Sequence, residues 1–158
     1  MEISLGKATI HDCNQIHQMQ ITGFKPLLNK YQDFETSPAA ETLEQVRNRF
    51  KYPQTDHYFI QLKGRSIGYI RISKIDKKTC KLQQMVISTA YQEKGYAQQA
   101  IQQIEKLNSQ VKSWVLDTTK QEKKLCYLYE KMGYQLTGNE KKIKDGMDLV
   151  DYAKQVIS

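Results

Sequence analysis

The sequence predicts a mixed α/β fold: a mostly antiparallel central sheet containing one parallel strand pair, flanked by helices. Three observations predict it. Several short strand-like segments follow one another through the middle of the chain, and links this short permit only antiparallel pairing. A helical stripe then separates the last of these from one further strand-like segment, and a crossover of that kind implies a parallel pair. Finally, the chain has 158 residues, a length suited to one ordinary domain that buries roughly 70% of its unfolded surface. A single domain over 1–158 is expected.

In order, residues 3–8 read as a strand. Thr9 with Asp12 three residues later has the pattern of a helix start, leading through Ile16 and Met19 toward Leu27, Leu28 and Tyr31. Gly23 is a candidate break in that helix. Ser37 and Pro38 form a second start signal, a capping hydroxyl before proline, and Leu43, Val46 and Phe50 follow at helical spacing. Strands are expected over 57–62, 66–73 and 80–88, linked by Lys63-Gly64-Arg65 and by Asp76-Lys77-Lys78. Ala97, Ala100, Ile101, Ile104 and Leu107 then trace one helix face. Residues 111–118 return as a buried strand carrying Trp114. Leu125, Leu128, Tyr129 and Met132 mark a last helix stopped by Gly133, and weaker strand signals lie at 134–136 and 147–156.

Composition narrows the function classes. With 39% hydrophobic and 26% charged residues, the chain is neither disordered nor collagen-like. No apolar run approaches the roughly 18 residues of a membrane helix, and the first five residues lack the order of a signal peptide. A cytoplasmic protein with no membrane partner is expected. Cys13, Cys80 and Cys126 are odd in number and far apart, with neither metal-ligand nor disulfide spacing, so reduced thiols are expected. The 24 basic and 17 acidic residues leave a charge of +7, which favours a nucleic acid, an anionic membrane surface or a polyphosphate cofactor. Basic residues are scattered rather than clustered with aromatics on one element, which ranks nucleic acid low.

The most informative stretch runs from Ile87 through Ala97, where a strand passes through a short polar loop into a helix. Such a junction suits an anion, because the first N–H groups of a helix lack intrahelical partners and the helix dipole is positive there. Gly95 lets the backbone turn, Ala97 permits close approach and Lys94 adds a cation. Any strand-to-helix loop can use a glycine, so this spacing alone leaves an ordinary connection open.

The segment Gln92-Glu93-Lys94-Gly95-Tyr96-Ala97 nevertheless resembles the acetyl-CoA loop of the GNAT-type N-acetyltransferase superfamily, in which Gln or Arg is followed by two residues, Gly, one residue, and Gly or Ala. Downstream, Leu128-Tyr129-Glu130-Lys131-Met132-Gly133-Tyr134 resembles the family's Leu-Tyr-Glu-Lys-X-Gly-Phe segment. The element order also follows the family over nearly the whole chain.

The resemblance implies a fold in which the strand before the loop splays from its parallel neighbour, with acetyl-CoA as cosubstrate between them. Met85, Val86 and Ile87 are the matching strand positions, Gln92, Glu93, Lys94, Gly95, Tyr96, Ala97 and Gln98 form the cofactor-binding loop, and the pyrophosphate would sit on the N–H groups from about Lys94 through Gln98. Transfer to an amine needs an oxyanion donor and an acid for the departing thiolate. The Ile87 N–H matches the first role and Tyr129 the second. Read from the sequence alone, Tyr129 is equally a core aromatic. Many family members place a glutamate on the strand before the loop, where this chain has Gln83 and Gln84, neither of which can accept a proton. Asp33 and Glu35 are alternative bases, in the loop where the family often forms its acceptor site, beside Phe24 and Tyr31. Phe24, Tyr31 and Asp33 are therefore the substrate candidates. Where the family often has Asn and Ala before the final helix, this chain has Glu122 and Leu125. The expected partners are acetyl-CoA, an unidentified amine acceptor and, as is common in the family, a second copy in a homodimer. The rival reading is an acyl-CoA-binding module of the same fold with little catalysis.

Other features read as structural. His11, His17 and His57 have no companion at metal spacing, and no metal is assigned. Cys126 reads as a small thiol on an apolar helix face rather than an acyl carrier. Lys123-Lys124 and Lys141, Lys142 and Lys144 read as solvated turns, the first pair being alternatively a neutraliser of a CoA phosphate, and Asp117 reads as structural.

Overall fold

A computed structural model describes residues 2–156. Seven strands form one sheet: β1 (Ile3–Lys7), β2 (Thr55–Leu62), β3 (Arg65–Lys74), β4 (Thr79–Ile87), β5 (Ser113–Thr119), β6 (Gln135–Lys144) and β7 (Met147–Gln155). Their order across the sheet is β1-β2-β3-β4-β5-β7-β6. Every neighbouring pair is antiparallel except β4 and β5. One face is covered by α1 (Cys13–Tyr31) and α2 (Leu43–Asn48), the other by α3 (Tyr96–Leu107) and α4 (Lys123–Lys131).

The β2–β3 link turns within Lys63 and Gly64, both at positive φ, the backbone that matches the twist of a two-residue hairpin. The α3/α4 face carries the larger core, in which Ile60, Ile70, Ile101, Ile104 and Trp114 are sealed from solvent. The α1 face holds a smaller cluster of Cys13, Ile16, Val46, Phe59, Tyr69 and Val86.

Three local expectations are corrected. Gly23 does not break the first helix: α1 runs through it and through Pro26. A Cβ on Gly23 would overlap the Val86 side chain, so its lack of a side chain is what seats α1 on β4. The Ser37-Pro38 start supports only a 3-10 turn, Pro38–Ala40. The α-helix starts afresh at Thr42, whose hydroxyl accepts from the Gln45 N–H while Gln45 returns a bond to the Thr42 N–H, a reciprocal cap. Strand β6 is far longer than 134–136 and almost wholly exposed. Lys141, Lys142 and Lys144 therefore lie on an edge strand rather than in turns, and charged residues there discourage pairing with another chain.

Under α2, the direct cross-strand neighbours His57, Arg71 and Gln84 form a buried polar row. His57 Nδ1 is 2.6 Å from the Tyr69 hydroxyl, and its ring stacks on Phe50 with 3.7 Å between centroids. Burial pulls the His57 pKa down from 6.5 to about 4. The unfolded chain thus binds a proton near pH 6.5 that the native state refuses until about pH 4. Stability from neutral His57 is present above pH 6.5 and is lost as pH falls through that window, by about 3 kcal/mol in all. Urea unfolding at pH 7 and pH 4 should show His57→Gln losing correspondingly less than the wild type; equal losses would assign the acid sensitivity elsewhere.

Candidate active site

The parallel pairing of β4 and β5 covers only Thr79 with Ser113, Cys80 with Trp114 and Lys81 with Val115. Past Lys81 the two strands part. At the fork, Lys81 Nζ lies 3.0 Å from Asp117 Oδ2, which gives Asp117 the structural place expected of it. Beside the fork, β4 carries a bulge: Arg71 pairs with Gln84 and Ile72 with Leu82, leaving Gln83 as the extra residue. Gln83 is exposed; Gln84 is buried with its side-chain Nε2 lacking a partner among the described residues.

Beyond the bulge, strand alternation decides which backbone groups are free. The Ser88 N–H bonds the Ile67 carbonyl on β3, and groups two residues apart point the same way, so Ile87 and Met85 turn theirs toward the gap left by β5. Val86 turns its own toward β3, and its side chain lies under Gly23. The Ile87 carbonyl accepts a 2.9 Å bond from Gln92 Nε2. The Ile87 N–H and both backbone groups of Met85 remain directed into the gap.

Gln92 thereby ties the loop back to the end of β4. The loop then passes through Glu93 at φ 60 and Gly95 at φ 84. A Cβ at Gly95 would meet nothing within 4 Å, so the glycine is required by the left-handed backbone and not by crowding. No side chain caps α3, whose first intrahelical bond runs from the Gln99 N–H to the Gly95 carbonyl. The N–H groups of Tyr96, Ala97 and Gln98 precede that bond and have no intrahelical acceptor. Tyr96 itself is buried beneath the helix start. Lys94 is exposed, and Lys124 of α4 is brought to the same loop by Glu93, 2.9 Å away. The loop is an open cradle of N–H donors at a positive helix end, beside a cleft with free backbone groups, which fits a pyrophosphate joined to an extended amide-bearing arm.

Tyr129 belongs to α4 and points into the larger core. It is buried among Ile87, Tyr96 and other core residues, with its ring edge-on to Tyr134 at 6.0 Å between centroids. Among the described residues nothing hydrogen-bonds its hydroxyl. Burial, then the Asp117 and Cys126 charges, push its pKa up to about 12, so the phenol holds its proton at neutral pH.

The acceptor candidates are less uniform. Phe24 packs into the small core beside Val86. Tyr31 is buried, and its hydroxyl donates to Glu122. Asp33 is half-buried: Oδ2 accepts from the Thr36 hydroxyl at 2.9 Å, while Oδ1 is shielded and has no partner among the described residues. Glu35 is exposed. Sequence reasoning passed over Glu122 as a departure from the family pattern, yet the fold sets it against Tyr31 and Lys30, across 91 and 92 positions of chain. No local signal announces such a contact. Cys126 Sγ lies 3.7 Å from the Thr119 carbonyl and 3.8 Å from that of Lys120, engaged with β5 and the link that follows it. No group of His, Cys, Asp and Glu among the described residues could hold a metal ion.

One parallel pair that parts beside a helix N-terminus is the arrangement implied by the resemblance to acetyl-CoA-dependent acetyltransferases. The model of the acetyltransferase (GNAT) domain matches residues 25–156, and the chain belongs to that family. Solved structures share the fold at low identity. An acetyltransferase from Thermus thermophilus is 15% identical with a TM-score of 0.76, over 99% of this chain and 98% of its own. The spermidine N-acetyltransferase of Vibrio cholerae, in complex with CoA and spermine, is 16% identical with a TM-score of 0.77, over 98% and 95%. An acetyltransferase from Salmonella typhimurium that modifies the N-terminal serine of a 50S ribosomal subunit protein is 15% identical with a TM-score of 0.77, over 99% and 96%. No curated protein shows significant sequence similarity to the chain. Among the described residues no helix is long and apolar enough to cross a membrane.

Proposed function

We propose that the protein moves the acetyl group of acetyl-CoA directly onto a primary amine while both substrates are bound. The observation that carries this reading is the parting of β4 from β5 after Lys81, which leaves the backbone of Met85 and Ile87 facing a cleft at whose mouth α3 begins. The α3 N–H groups and Lys94 hold the pyrophosphate, and the free backbone of Met85 holds the extended arm. The Ile87 N–H stabilises the negative charge that develops on the carbonyl oxygen. The amine lone pair forms the new N–C bond and the C–S bond breaks. Tyr129 gives its proton to the departing thiolate, and the surplus proton on nitrogen leaves through water. Water takes that part because the β4 positions Gln83 and Gln84 are amides, and the Glu122 carboxyl is held below its usual range: burial alone would raise it, but bonds from Lys30 and Tyr31 outweigh that. The engaged Cys126 thiol supports transfer without an acyl-enzyme. A cytoplasmic site of action is supported by three free cysteines, which a reducing compartment preserves.

Calorimetric titration with acetyl-CoA tests the reading, with desulfo-CoA and ATP as controls, followed by thiol release on an amine panel. Saturable acetyl-CoA binding and amine-dependent release are expected. No binding at millimolar acetyl-CoA would overturn the proposal, and binding without turnover on any amine would reduce the protein to a CoA-binding module.

A further inference from the structure

Glu122 ends the link that leaves β5, directly before α4. Its Oε2 accepts from the Tyr31 hydroxyl and lies 2.7 Å from Lys30 Nζ. Lys30 and Tyr31 form the end of α1, the helix seated on β4 through Gly23, so the contact joins the β5 arm of the cleft to the cover of the β4 arm. The tip of the β6–β7 hairpin meets the same end of α1, where Lys144 Nζ is 3.5 Å from the Gln32 carbonyl. Three distant segments thus converge at the end of α1, with the Glu122 carboxylate joining two of them.

We infer that Glu122 selects the acceptor by taking a primary ammonium group in the place Lys30 now fills, and that the acceptor is a diamine or longer polyamine. The inference rests on the acetyl-transfer reading above and specifies its substrate. Lys30 shows the chemistry of the subsite, because its Nζ is an alkylammonium already seated on the carboxylate. The two partners differ in exposure: the Lys30 side chain is 58% exposed and that of Glu122 19%. The carboxylate is therefore the fixed partner, held by Tyr31, and the cation is the exchangeable one. The pair is open to solvent on the Lys30 side, and replacing Lys30 Nζ by a substrate ammonium exchanges one charge-assisted hydrogen bond for another on the same carboxylate.

The same contact shows why one amino group does not suffice. An ammonium on Glu122 is stabilised in its charged form, and the hydrogen bond to Glu122 raises the pKa of Lys30 above 10.5. A nitrogen held there has no lone pair to offer a thioester. The nucleophile must be a second amino group on the same molecule, free to lose its proton to water, attack the acetyl carbonyl and release CoA as the thiol. The first stays charged on Glu122 and fixes the chain of the acceptor.

Putrescine and butylamine, a diamine and a monoamine of equal carbon count, provide the test. Wild type should favour putrescine by about tenfold or more in kcat/KM, the scale of a charge-assisted hydrogen bond. In Glu122→Gln the putrescine KM should rise until the two amines converge. In Lys30→Met, which removes the internal competitor, the putrescine KM should fall several-fold. Changes of opposite sign in residues that share one ion pair would not arise from damage to the fold. Wild type without a putrescine preference, a preference that survives Glu122→Gln, or acetylation of neither amine would each overturn the inference. Acetyl-CoA calorimetry on all three proteins separates the two readings. Absent binding removes the acetyl-transfer reading and this inference with it; normal binding without a diamine preference removes this inference alone.

Discussion

Tyr129→Phe should lose turnover by about a hundred- to ten-thousand-fold, the range of a well-placed general acid, while acetyl-CoA binds with wild-type affinity. The substitution removes one oxygen and little else. The ring stays in the larger core between Tyr134 and Tyr152, and no hydrogen bond of the described residues is broken, so unfolding free energy should change by no more than about 0.5 kcal/mol. Rapid measurement of thiol release, beside calorimetry of cofactor binding, distinguishes the chemical step from assembly of the site. With its pKa pushed up to about 12, the phenol is protonated throughout the neutral range, and loss of this proton should not limit the rate below about pH 10. The same shift carries a sign for stability: the neutral buried phenol contributes fully below the unfolded pKa of about 10 and that contribution is lost as pH rises through 12. Unaltered turnover in Tyr129→Phe would remove the hydroxyl from the reaction and leave Tyr129 as core.

Gly95→Val should weaken acetyl-CoA binding by about tenfold or more, through two effects that add. The backbone at φ 84 is costly for any side chain and most costly for a β-branched one. The new methyl groups would also stand in the open space above the first N–H groups of α3, where the pyrophosphate is placed. Because that space is empty of protein atoms, the core is untouched and the variant should fold. Gly95→Ala should fall between the two proteins, since it adds strain with less bulk. Calorimetric titration of the three proteins checks the order, and wild-type affinity in Gly95→Val would show that the phosphates lie elsewhere.

The parts of the site most legible in the sequence are those built from consecutive residues. Gln92 through Ala97 could be located because a strand end, a left-handed glycine and an uncapped helix start are all local features. Its details were less visible. The motif makes Gln92 a position of the cofactor loop without giving its contact; its side chain bonds the Ile87 carbonyl and anchors the loop. Val86 shares a strand with Met85 and Ile87, but alternation directs its backbone to β3, which a motif match does not specify. The sequence signal for strand β6 is short because its ten residues, nine of them exposed, carry no alternation of apolar and polar side chains; only its ladder with β7 makes it a strand.

By itself, then, the sequence determined the order of helices and strands, the family and the place of the strand-to-helix loop at Gln92 to Ala97, because hydrophobic period, turn chemistry and a contiguous motif are written over short distances. The tertiary structure alone decided how far β4 and β5 stay paired, why Gly23 belongs inside a helix, and which acid faces the end of α1. Gly23 is explained by Val86, and Glu122 by Tyr31 and Lys30, partners far away along the chain. Local propensity is silent about such contacts, since their free energy exists only after the sheet has brought the segments together.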